Sequence, residues 1–141
     1  MNLPRSLASD FLLAFARAEY ALKGIQRFCS GAEGESASPN WDRFASKVAT
    51  ALSACSEIDY TVRQLLLAAP PLKEVVRNGI AVFEALPLVG PEGVQLILAV
   101  RRARKNVFHG GKVHGERYQG HDQQFVTAAL EVRAAMPVTP R

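Results

Sequence analysis

Near the start of the chain apolar residues recur at alternating spacings of four and three: Phe11, Phe15, Ala18, Leu22, Ile25 and Cys29. That rhythm places them on one face of a helix, with Arg17, Lys23 and Arg27 off the stripe. The stretch SGAEGESASP, Ser30 to Pro39, is small, polar and rich in Gly and Ser, and reads as a flexible loop. Asn40 carries the side chain of an N-cap, and Trp41, Phe44, Val48 and Leu52 follow at helical spacing. Ser56 and Asp59 stand three apart, the spacing of a capping box, so a third helix is expected from there through Ile58, Val62, Leu65 and Leu66. Pro70-Pro71 must end it, because proline lacks the donor and clashes with the preceding turn.

The periodicity then changes. Val75-Val76, Arg77-Asn78-Gly79 and Ile80 to Phe83 read as two extended runs about an Asn-Gly turn, which predicts a short β-hairpin. Pro91 and Glu92 suit the first turn of another helix, one by its fixed φ and the other by its charge at the positive end of the helix dipole. Val94, Ile97, Leu98, Arg101 and Lys105 keep helical spacing, and Gly110-Gly111 is the expected stop. After a polar loop, Lys112 to Gly120, a last helix is expected from about Asp122, burying Phe125, Ala129, Leu130 and Val132 and ending at Pro137; the tail beyond reads as disordered. The expected fold is therefore all-α: a bundle of about five helices, interrupted by one hairpin, forming a single domain over residues 1–141.

Composition narrows the class. Of 141 residues 48% are hydrophobic, enough for a core without disulfide or metal staples. The two cysteines, Cys29 and Cys55, form no Cys-x-x-Cys pair and have no histidine at ligand spacing, so they read as reduced, buried thiols; neither a metal nor another cofactor is expected. No apolar run is long enough to span a membrane, and the N-terminus lacks the order of a signal peptide, so a cytoplasmic protein is expected.

The net charge of +4 is unevenly spread. Residues 1–70 hold seven Lys/Arg and seven Asp/Glu, whereas residues 71–141 hold ten and six. Between Arg101 and Arg117 six basic residues face one acid, Glu116. Such an excess attracts a phosphate backbone, although a solvated helix face is the ordinary reading of a charge run.

The string RRARKNVFHGGK, Arg101 to Lys112, sets one histidine beside several cations. Histidine exchanges a proton near neutral pH, cations nearby favour its neutral form, and arginine forks bind phosphate oxygens. These are the parts of a metal-free phosphodiester chemistry. Glu19, at the edge of the first stripe, reads as the partner of an arginine. His114 and His121 read as solvated residues, Trp41 as core, and Phe108 as a core or dimer anchor.

Part of this string, RKNVFHGGK from Arg104 to Lys112, resembles the RNNLFHGGK-type motif of HEPN (higher eukaryotes and prokaryotes nucleotide-binding) domains. FARAEYALK, Phe15 to Lys23, and PNWDRFA, Pro39 to Ala45, resemble the first two helices of such proteins, in the same order. The family signature is Arg, four to six residues, then His. The resemblance implies a helical bundle that dimerises, bringing Arg and His from both protomers into one cleft. It implies a metal-independent endoribonuclease with His109 and Arg104 as catalytic residues, and Arg101, Arg102, Lys105, Asn106 and Lys112 on the RNA. Non-catalytic members of the family bind nucleotides, RNA or proteins, so a component of a toxin–antitoxin or defence system, with a protein antitoxin as partner, is the alternative. Lys105 stands where the family prefers Asn. Two arginines meet the signature: Arg104, four residues before His109, by the string match, and Arg102, six residues before it, because residues seven apart share a helix face. The string match makes Arg104 the preferred one.

Overall fold

The first apolar stripe forms α1 (Arg5–Lys23), which buries Phe11, Phe15, Ala18, Ala21 and Leu22. A computed structural model describes residues 4–108 and 122–137 of the chain. The helix stops earlier than the spacing predicts. Gly24 follows Lys23, its N–H bonding back to the Tyr20 carbonyl at 3.2 Å, and the chain leaves through a 3₁₀ turn, Gln26–Phe28. That turn buries Phe28 and leaves Ile25 partly exposed and Cys29 exposed. Cys55 is half-buried, so the expectation of two buried thiols is corrected.

The Gly/Ser-rich segment is closed at its ends by a minimal antiparallel pair, β1 (Cys29–Ser30) with β2 (Ser38–Pro39). The next residue begins α2 (Trp41–Ser53), whose N-cap is Asn40: its Oδ1 accepts from the Arg43 N–H at 3.0 Å. Trp41, Phe44, Ala45, Val48 and Leu52 face inward, as their spacing requires.

The third helix, α3 (Tyr60–Ala68), starts later than Ser56. Asp59 is its N-cap, accepting from the Thr61 N–H, and Ile58 is buried just ahead of it in non-helical chain. Carbonyls at the end of α2 and in the turn after it are satisfied from α3: the Arg63 guanidinium donates to Leu52 (3.0 Å), Ile58 (3.3 Å) and Cys55, and lies 3.6 Å from the Glu92 carboxylate. The helix ends before Pro70-Pro71.

The hairpin is present. β3 (Lys73–Arg77) pairs antiparallel with β4 (Ile80–Glu84), Arg77 opposite Ile80 and Lys73 opposite Glu84. Asn78 and Gly79 turn it with φ of 53° and 79°, the left-handed pair that matches the twist of the strands. Among the described residues the fold is thus mostly helical with two small antiparallel pairs, rather than strictly all-α.

The centre of the bundle is α4 (Glu92–Phe108), which packs against α1, α2, α3 and the last helix, α5 (Asp122–Ala135). Leu96, Ile97, Ala99, Val100 and Ala103 supply its buried face; Phe125, Val126, Ala129 and Val132 supply that of α5. At its N-terminal end α4 lies against the α2 backbone. Gly93 donates to the Ser53 Oγ at 3.0 Å, and a Cβ there would fall inside the Ala49 carbonyl. Arg133 ties α5 to α1 through Nε to the Ala14 carbonyl at 3.1 Å, and burial pushes its guanidinium below the ordinary pKa. The glycine stop of α4, the polar loop and the tail fall outside the described residues. Among the described residues no helix is long and apolar enough to cross a membrane.

Candidate functional site: a basic cleft along the central helix

The outward face of α4 borders a cleft of about 590 Å³. Residues four and three apart share that face, so Leu98, Arg101, Arg102, Lys105 and Asn106 meet there along two turns. The remaining walls come from α1 through Glu19, from the start of α2 through Trp41, from the base of the hairpin through Leu72, Lys73 and Glu74, and from the chain leaving it at Leu86, Pro87 and Val89.

Two of the arginines are held alike. Arg104 reaches α1, where its guanidinium pairs with the Glu19 carboxylate at 3.0 Å and lies 5.6 Å from the centre of the Phe15 ring. Phe15 and Glu19 are one helical turn apart, so α1 offers ring and carboxylate on one face. Arg101 meets a similar pair at the start of α2, the Asp42 carboxylate at 3.3 Å and the Trp41 ring at 6.0 Å. The aromatic faces orient the guanidinium planes and the carboxylates balance their charge. The Arg104–Glu19 pair is half-buried, while Asp42 is 90% exposed, so its pair with Arg101 is open to water and screened.

Arg102 does different work. It donates to the carbonyls of Leu86 (2.6 Å), Pro71 (3.4 Å) and Pro87 (3.4 Å). One turn on, the buried Asn106 side chain donates to the Leu72 carbonyl at 3.0 Å. Together they fasten both ends of the hairpin insertion to α4. Pro71 and Pro87 have no N–H of their own, but their carbonyls remain acceptors and receive this fork.

Of the residues expected to act on RNA, Arg101, Arg102, Arg104, Lys105 and Asn106 thus border one cleft. Arg102 and Asn106 line it while their donors hold the hairpin. Lys105 is exposed. His109 and Lys112 lie outside the described residues, His109 being the next residue after α4. The sequence reading missed the cleft's far walls, above all Lys73; nothing local to KEVVR marks it as lining the same cleft as Lys105. Among the described residues no group of three or more His, Cys, Asp or Glu is placed to hold a metal.

Comparisons with protein-family models, with curated proteins and with solved structures found no match to this chain.

Proposed function

We propose that the chain is an RNA-binding protein of the HEPN kind and a metal-independent endoribonuclease that acts as a homodimer. The observation that supports this most is the convergence of Arg101, Arg104 and Lys105 on one cleft at the end of the helix that leads directly into His109. The motif resemblance of RKNVFHGGK supplies the chemistry. The ribose 2′-hydroxyl gives its proton to a base and attacks phosphorus; the bond to the 5′-oxygen breaks, and that oxygen takes a proton from an acid. The products are a 2′,3′-cyclic phosphate and a 5′-hydroxyl, with no co-reactant needed. His109 serves the proton transfers, with the second histidine of a dimer available for the other one. Arg104 stabilises the charge on the phosphate oxygens.

The test is cleavage of single-stranded RNA by purified protein in excess chelator. Cutting that leaves a cyclic phosphate, and that His109→Ala and Arg104→Ala abolish, with RNA binding kept in His109→Ala protein, is the expected result. Cutting undiminished in His109→Ala protein would sink the mechanism. DNA of the same sequence should be inert, because it lacks the attacking hydroxyl.

A second reading is a non-catalytic RNA- or protein-binding module, such as the partner-dependent half of a toxin–antitoxin or defence pair. What favours it is the Glu19 carboxylate on Arg104, which occupies the group a phosphate would need. Intact protein that binds RNA and never cuts it would establish this reading.

A further inference from the structure

The sequence places every basic site residue on the string around α4, but the cleft has a second basic wall. Lys73, the first residue of β3, lines it from the hairpin side. Its position in the ladder is opposite Glu84, where a lysine ordinarily finds a cross-strand ion pair. That carboxylate is taken: the Arg77 guanidinium holds it at 2.7 Å. Lys73 forms no ion pair among the described residues, and neither does Lys105 on the α4 wall. Both are exposed.

The other cations of the cleft are engaged. Arg104 pairs with Glu19, Arg101 with Asp42, and Arg102 with three carbonyls. The cleft therefore presents two exposed lysines, from two different walls, without an ion pair among the described residues. Like charges brought to one cavity repel, and the carboxylate nearest in sequence, Glu74, is not paired with Lys73. An anion seated between the walls relieves that repulsion.

We infer that Lys73 is a phosphate-binding residue of this cleft, acting with Lys105, so that the hairpin forms the second wall of a clamp for a phosphate chain. The inference rests on the RNA reading for its ligand and extends it to an element outside the motif. The Arg102 and Asn106 bonds to the hairpin base fasten the Lys73 wall to the helix that carries Lys105. A strand gripped from two sides lies between the walls; a duplex, with its phosphates on the outside of a wide cylinder, is reached from one side only. The clamp therefore selects unpaired RNA.

The test compares Lys73→Gln, Lys105→Gln and, as a surface control on α2 away from the cleft, Lys47→Gln. Binding of a fluorescent single-stranded oligoribonucleotide at low salt and thermal stabilisation by inorganic pyrophosphate are measured for each. Each cleft variant should weaken RNA binding roughly five- to tenfold, and each should lose most of the pyrophosphate stabilisation, with Lys47→Gln unchanged. If Lys73→Gln matches the wild type while Lys105→Gln is impaired, the hairpin wall is refuted and the RNA reading stands. If the wild type binds no RNA but pyrophosphate stabilises it through both lysines, the RNA reading falls and the two-walled anion site stands. No response of the wild type to either probe refutes both.

Discussion

Arg102 and Arg104 sit two positions apart on α4, and the sequence offers each as the signature arginine. Their surroundings separate them. Arg102 donates charge-assisted bonds to carbonyls of Pro71, Leu86 and Pro87, which would be left without it. Arg102→Ala should cost roughly 1–3 kcal/mol, seen as a lower urea midpoint at unchanged slope. Arg102→Lys should recover little, since an ammonium cannot reproduce the fork. Arg104 sits in a half-buried pair at the cleft edge, so Arg104→Ala should cost about 1 kcal/mol or less and act mainly on ligand or catalysis. Equal stability losses in the two variants would contradict this division. Helical spacing favours Arg102 for the site because residues seven apart share a face, but spacing along one helix says nothing about the carbonyls another segment brings to it. The Glu19 partner was legible, since its place at the edge of an apolar stripe calls for a cation; the identity of that cation was not.

Among the elements, the ones written in local chemistry are read best. Asn40 as a cap, Asn78-Gly79 as a turn and Pro91-Glu92 as a helix start all act within a few residues. Ends decided by packing are read less well: α1 stops at Lys23 because Phe28, not Cys29, fills the core, and α3 waits for Asp59 because Ile58 is buried in the bend ahead of it. The hairpin turn can be broken alone. Gly79→Val forces a β-branched residue to φ of 79° and should cost about 1–2 kcal/mol within the hairpin. Helical circular dichroism should be kept, because the hairpin base is fastened to α4 independently of its turn. Loss of the helical signal would show the hairpin to be part of the global core. Gly93→Ala is the opposite case: the new Cβ meets the Ala49 backbone, which cannot rotate away, so at least about 2 kcal/mol of global destabilisation is expected in thermal unfolding.

At the scale of the whole molecule, the charge asymmetry visible in composition becomes a place. Four of the ten basic residues of the second half, Arg101, Arg102, Arg104 and Lys105, line the cleft from the central helix, and part of the opposite wall comes from residues about thirty positions earlier in the chain. Composition located the excess, but only the tertiary fold could say what stands across from it. RNA affinity should fall linearly with log salt, and replacing both Arg101 and Lys105 by Ala should reduce the slope by about 1.4 if each touches one phosphate of a single strand; an unchanged slope would remove these residues from the interface. Light scattering at micromolar concentration should give twice the chain mass, and a clean monomer would exclude a site shared between protomers. The clasp of Arg102 and Asn106 on the hairpin base has a consequence for inheritance. Within RRARKN, positions 102 and 106 answer to the stems at Pro71-Leu72 and Leu86-Pro87, while positions 101, 104 and 105 answer to whatever enters the cleft. In descendants that trim the hairpin away, Arg102 and Asn106 should drift together while Arg104 is retained, so one short string carries two histories that can come apart.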